Sequence, residues 1–102
     1  DQEGIENIDE ILSVDGLDAV VIGYGDLSLT TGHPGDRQHP EVANLGKLGT
    51  QKVLASSVAL QVTVQDGEGA RNAVEDGALM IRCSIPSVLG VAMETWLDQA
   101  RS

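Results

Sequence analysis

The sequence predicts an α/β fold made of parallel βα units, with about three strands and four helices of a (β/α)8 barrel of the TIM type. β-Branched apolar runs alternate with helical segments along the chain, which is typical of parallel sheets. Asp-Gly turns at 15–16 and 76–77 each lead into a strand, and roughly two βα units of ~30 residues separate them. Three parallel strands alone have two bare edges. Residues 1–102 are therefore expected to form either a small open sandwich or a single segment of a larger barrel whose other strands are not in this chain.

The predicted elements alternate from a first helix to a last one. Apolar residues at helical spacing predict a helix over 3–13, which Asp1 would cap. Strands are predicted at 18–23, 58–64 and 78–83, and a loop rich in glycine is predicted over 24–39. Further helices are predicted from Pro40 to Leu54, from the Asp66 cap to Gly77, and after Pro86 with Ser87 as the cap. The last helix carries an apolar face of Val88, Leu89, Ala92, Trp96 and Leu97.

The first strand leads into the most informative turn of the chain. Val20, Val21 and Ile22 show no polar alternation, which predicts a strand that is buried on both faces. A Gly-X-Gly turn follows and delivers Asp26 at the carboxyl end of the strand, where parallel folds place their chemistry. A carboxylate there is a candidate ligand for a divalent cation, and a turn-capping role is the competing interpretation.

Composition excludes several classes of partner. The chain has 6 basic and 16 acidic residues and a net charge of −10, which argues against nucleic acids and anionic membranes. No apolar run approaches the ~20 residues of a bilayer span, and the chain has no signal-peptide pattern. The single cysteine, Cys83, falls in a predicted strand, and a buried, reduced thiol in a cytoplasmic protein is the expectation.

Other polar residues have two interpretations each. His33 and His39 flank Asp36 in the predicted loop, but their spacing fits no metal motif, so we expect two solvent-exposed histidines. Arg82 lies within an apolar strand and needs a partner. An acid elsewhere in the fold is the structural alternative, and a substrate carboxylate is the functional one.

Several motifs together resemble one family. Asn7 to Leu12, Val14 to Asp18, Ile22-Gly23-Tyr24-Gly25-Asp26-Leu27-Ser28, Gly32 to Gly35 and His39 to Val42 look like the HpcH/HpaI aldolase/citrate lyase family. The likeness is dense over 4–42, thins over 43–76 and returns at Gly77-Ala78. It identifies the chain as the carboxyl-terminal part of that family's barrel.

The resemblance implies a metal-dependent aldolase, using Mg2+ or Mn2+, that cleaves 2-keto-hydroxy acids into pyruvate and an aldehyde. It implies that Asp26 ligates the metal and that the amides of Gly25 and Asp26 hold the keto-acid carboxylate. Thr63 and Arg82 are further candidates for substrate binding. The family's second ligand, a Glu, would fall immediately before residue 1, and its catalytic His and Arg would fall earlier.

Departures from the family pattern keep a second function open. Tyr24 replaces a Pro, Gln61 a Gly, Thr63 a Leu, and Arg82 a small residue. These changes favour a catalytically incomplete relative that acts as an interaction or assembly subunit. We expect a homo-oligomer or association with a longer relative. A third alternative is an independent α/β module that binds a small anion through the 24–39 loop.

Overall fold

The computed structural model describes all 102 residues and contains six helices and three strands. In chain order they are α1 Gln2–Glu6, α2 Ile8–Leu12, β1 Ala19–Val21, α3 Tyr24–Thr30, α4 Pro40–Leu54, β2 Ala59–Thr63, α5 Gly67–Glu75, β3 Met80–Arg82 and α6 Ile85–Arg101.

The three strands form one parallel sheet in the order β1-β2-β3. Val20 pairs with Leu60, and Thr63 pairs with Arg82. Each strand therefore lies beside the next strand along the chain, as consecutive units of a barrel do, and the strand order does not reverse as in an open doubly wound sheet. The predicted α/β class and the parallel pairing are confirmed.

One face of the sheet carries the core. Ile8, Val53 and Leu60 are buried together, with Val20 and Val62 packed against them. A second cluster joins Ile5, Leu27 and Val42, and a third lies under α5. The long helix α4 contributes to the first two clusters, so it is the central support of this face.

The opposite face of the sheet is open, which corrects the prediction that β1 is buried on both faces. Val21 is 44% exposed and Met80 is 50% exposed. Both lie in the row that alternates with the helix-packed residues, because neighbouring residues of a strand point to opposite faces. Val21 and Met80 are thus apolar side chains that the helices of this chain leave uncovered.

Helix α4 forms over its full predicted length although Gly46 and Gly49 lower its intrinsic stability. Both glycines are buried. A β-carbon at Gly46 would collide with the Tyr24 ring, and one at Gly49 would lie 2.7 Å from Ile5 Cδ1. The glycines thus allow α3 and α1 to pack closely on α4, and this packing offsets their poor helix propensity.

Several boundaries differ from the predictions. The helix predicted over 3–13 is interrupted at Asn7, and the predicted 24–39 loop contains helix α3. The last helix begins at Ile85 with Ser84 as its cap, not Ser87, because the Ser84 hydroxyl accepts the Ser87 amide. The predicted caps at Asp1 and Asp66 are confirmed, each accepting an amide at 2.7 Å.

Helix α6 contains no buried residue, and Trp96 is 70% exposed. Its apolar face has the predicted composition but contacts little of this chain. Cys83, which precedes α6, is exposed, so the prediction of a buried thiol is wrong. Cys83 is exposed for the same reason as α6, since no other element of this chain covers this end of β3. None of the helices has both the length and the apolar character needed to cross a bilayer.

Candidate functional site

Asp26 lies just beyond the carboxyl end of β1, in the first turn of α3. Its carboxylate lies close to Gly23, which follows the strand. A β-carbon added at Gly23 would be 3.4 Å from Asp26 Oδ2. The residue is exposed and takes part in neither of the two ion pairs of the chain. Its oxygens are therefore free of a cationic partner at the edge where the sequence predicts chemistry.

The start of α3 presents backbone donors next to this carboxylate. Gly25 and Asp26 lie in the first turn, where N–H groups have no carbonyl partner within an α-helix. Gly23 precedes the helix and provides no side-chain cap. The helix forms because Leu27 and Ser28, both 1% exposed, bury its inner face. The Ser28 hydroxyl donates to the Gly25 carbonyl at 2.7 Å, which stabilises this turn.

Thr63 and Arg82 lie side by side on the open face of the sheet. They are register partners at the carboxyl ends of β2 and β3, and both are exposed. Arg82 takes part in neither ion pair of this chain, so no acid of residues 1–102 is its structural partner. The sheet thus brings both predicted residues to the same edge as Asp26. No cavity of the chain is lined by any of the three, so they occupy an open surface.

Arg37 is a neighbour of the site that the sequence does not reveal. Its guanidinium lies against Gly25, where an added β-carbon would be 3.6 Å from Arg37 Nη2. Arg37 is exposed and forms no ion pair. Its position depends on how the 31–39 segment folds back on α3, and no spacing rule predicts that fold. It adds a positive group beside the free amides in a chain of net charge −10.

The donor set at Asp26 fits a hard divalent cation in part. Mg2+ is commonly held by one or two carboxylates, with waters and substrate oxygens completing the shell. Asp26 offers one carboxylate that takes part in neither ion pair, and this carboxylate lies beside Gly23. The residues present are therefore compatible with one protein ligand of such a site.

A separate cluster joins His33, His39 and Glu41, and it contradicts the expectation of two solvent-exposed histidines. His33 Nε2 lies 2.9 Å from Glu41 Oε2, and the two imidazole rings stack with centroids 3.4 Å apart. Both histidines are half-buried. Sequence spacing missed this cluster because the turn at Pro34 and Gly35 reverses the chain and brings His33 back to the start of α4.

Comparison with known proteins places these features in a family. The model of the HpcH/HpaI aldolase/citrate lyase family matches residues 1–89. The chain is 34% identical over 88 residues to a 4-hydroxy-2-oxo-heptane-1,7-dioate aldolase of Klebsiella pneumoniae, a match that covers 86% of this chain and 33% of the relative. It is 33% identical over 85 residues to a 2-keto-3-deoxy-L-rhamnonate aldolase of the same organism, covering 83% of this chain and 32% of the relative.

A solved structure agrees over almost the whole chain. An HpcH/HpaI aldolase/citrate lyase family protein from Burkholderia cenocepacia superposes with a TM-score of 0.82 at 28% identity, covering 97% of this chain and 39% of that one. The chain spans about a third of the length of the curated relatives it matches. Its three parallel units are thus part of the barrel of these proteins, and the chain belongs to the HpcH/HpaI aldolase/citrate lyase family.

Proposed function

We propose that this chain provides one part of the active site of a divalent-metal-dependent aldolase, which cleaves a 2-keto-hydroxy acid into pyruvate and an aldehyde. The observation that carries the proposal is the position of Asp26. Its unpaired carboxylate lies at the carboxyl end of a parallel strand, beside free helix amides, in a chain of an aldolase family. The relatives named above are aldolases of 4-hydroxy-2-oxo and 2-keto-3-deoxy acids.

Each residue of the site has a separate task in this proposal. Asp26 holds the cation, Mg2+ or Mn2+, through its carboxylate. The amides of Gly25 and Asp26 donate hydrogen bonds to the carboxylate of the keto acid. When bound, the cation supplies positive charge beside the keto oxygen, where negative charge develops as the carbon–carbon bond breaks.

Side chains on the open sheet face complete the substrate contacts. Arg82 presents a guanidinium from β3, and Thr63 borders the same surface. Arg37 presents a second guanidinium from above Gly25. Guanidinium groups pair with carboxylates through two parallel hydrogen bonds, which favours an acid as the substrate.

The test is pyruvate release from a 4-hydroxy-2-keto acid in the presence of Mn2+. We expect Asp26→Asn to lower the rate by at least about 100-fold, because the change removes the charged ligand and preserves side-chain volume. Asp36→Asn, an equal change at an exposed acid of the neighbouring segment, should leave the rate unchanged. An equal rate in Asp26→Asn would refute the proposed role of Asp26, and absence of metal-dependent release would refute catalysis by this chain alone.

A second candidate function is assembly without catalysis, and two surfaces favour it. Helix α6 buries none of its residues, and Val21 and Met80 are exposed on the open face of the sheet. The solved relative is more than twice as long as this chain, so its fold contains parts that these 102 residues do not include. We propose that a second copy or a longer relative supplies them.

Size-exclusion chromatography with light scattering tests this association. We expect a mass above one chain and a shift to a smaller species in Trp96→Asp, whereas Thr95→Asp on the same exposed helix serves as the control. A well-folded monomer would refute the association. A cytoplasmic location is part of the proposal.

A further inference from the structure

We propose that His33, His39 and Glu41 form a second cation site, separate from Asp26 and suited to a borderline transition metal such as Zn2+. The proposal does not depend on the aldolase activity. Two imidazoles and one carboxylate have ligand atoms that all lie within 4.8 Å of one another. Imidazole nitrogen favours Zn2+, Ni2+ and Co2+ over Mg2+, so this donor set selects a different ion from the one proposed at Asp26.

The distances between the ligand atoms require a small closure. Tetrahedral Zn2+ with bonds of about 2.0–2.1 Å has ligand atoms about 3.3 Å apart. His33 Nε2 and Glu41 Oε2 are already 2.9 Å apart. The widest pair of ligand atoms therefore has to approach by at most about 1.5 Å, which side-chain rotation can provide.

The backbone that carries the ligands is fixed by a buried residue. Ser28, 1% exposed, accepts the Gly35 amide through its hydroxyl at 3.3 Å, and its carbonyl accepts the His33 amide at 2.7 Å. His39 and Glu41 lie at the first turn of α4, the longest helix in contact with the core. Ligands on such supports lose little conformational entropy when an ion binds.

Without an ion, hydrogen bonds occupy the ligand atoms. His33 Nε2–H donates to Glu41 Oε2, so a neutral His33 must move this proton to Nδ1 in order to bind. His39 Nδ1 accepts the Glu41 amide at 3.2 Å, which places the proton of the neutral ring on Nε2. Binding of a cation through either nitrogen of His39 therefore breaks the hydrogen bond by which His39 Nδ1 caps α4.

The stacked rings must also turn. Their planes differ by 13°, so their in-plane lone pairs run side by side and do not converge. Rotation of one ring brings both nitrogens toward Glu41. The Glu41 amide loses its acceptor in the same step, which gives the proposal a spectroscopic signature in the 15N–1H spectrum.

The experiment is titration of the full chain with Zn2+ by calorimetry, followed by Co2+ absorption as a probe of ligand geometry. We expect one saturable equivalent that excess Mg2+ does not displace, together with a shift of the Glu41 amide resonance. His33→Ala, Glu41→Gln and His39→Asn should each weaken binding at least about tenfold. Asn at 39 still caps a helix, so that variant removes the imidazole and preserves α4.

Two control variants separate this site from the rest of the chain. Glu68→Gln changes the corresponding first-turn acid of α5 and should leave Zn2+ binding unchanged. Asp26→Asn should also leave Zn2+ binding unchanged. Binding lost only in Asp26→Asn would overturn the second site and leave the proposed aldolase function standing. The second site would also be overturned by the absence of saturable binding, or by binding that persists in all three ligand variants. Either result would show that the cluster only closes the turn.

Discussion

The Tyr24 ring lies so close to Gly46 that it decides whether Gly46→Ala raises or lowers the free energy of unfolding. In an open helix, Gly→Ala stabilises by about 0.5–1 kcal/mol, because glycine has the greater backbone entropy to lose. At Gly46 the added methyl group would overlap the Tyr24 ring. Overpacking of this kind costs about 1–3 kcal/mol. We therefore expect Gly46→Ala to lower the free energy of unfolding by about 0.5–2 kcal/mol.

Removal of the ring should reverse that sign. In a Tyr24→Ala background the methyl group meets no ring, so Gly46→Ala should raise the free energy of unfolding by about 0.5–1 kcal/mol. The difference between the two backgrounds is a coupling energy of about 1–3 kcal/mol, as expected for residues in contact. Gly90→Ala in α6 is the matched control, since nothing lies within 4 Å of its added β-carbon.

Urea unfolding followed by circular dichroism at 222 nm measures all four variants. In a domain of this size a change of 1 kcal/mol shifts Tm by about 4–8 °C, which thermal scans resolve. If Gly46→Ala is as stable as Gly90→Ala, or if its effect is the same with and without Tyr24, the proposed close approach of α3 and α4 is wrong.

Three further predictions concern stability. Asp66→Ala should cost about 1 kcal/mol, because it removes the 2.7 Å cap to the Gly69 amide, whereas Asp66→Asn should restore most of the loss; urea midpoints compare the two. Val53→Ala should cost about 2 kcal/mol, since Val53 is 0% exposed in the core, and a loss below 0.5 kcal/mol would contradict that burial. Lys52→Ala, which breaks a 2.9 Å pair with Asp9, should change the free energy of unfolding by less than 1 kcal/mol in thermal scans, because both side chains are largely exposed.

Local patterns predicted the order of the main elements because their causes are local. The strand centred on Val20 is a short β-branched run between turn residues, and Asp66 caps α5 through an amide three residues ahead. Gly16 and Gly77 both adopt positive φ, at 84° and 100°, in the Asp-Gly turns that the sequence marks. Each of these features depends on residues within a few positions of one another.

Helix α3 shows where local reasoning fails. Gly23 and Gly25 indicate a turn, and the predicted loop followed from them. The helix exists because Leu27 packs with Ile5 and Val42, residues that are distant in sequence. Burial of this kind outweighs glycine's weak helix propensity, and no local pattern measures it.

At the candidate site, the sequence by itself determined that Asp26 follows a parallel strand, and its role as a metal ligand stays a prediction from the family motif. Only the tertiary structure placed Arg37 over Gly25, paired Thr63 with Arg82 and stacked His33 on His39. The physical reason is that these contacts join segments that a chain reversal or a strand register brings together. Residue spacing records position along one helix or strand, whereas such contacts depend on how separate elements pack.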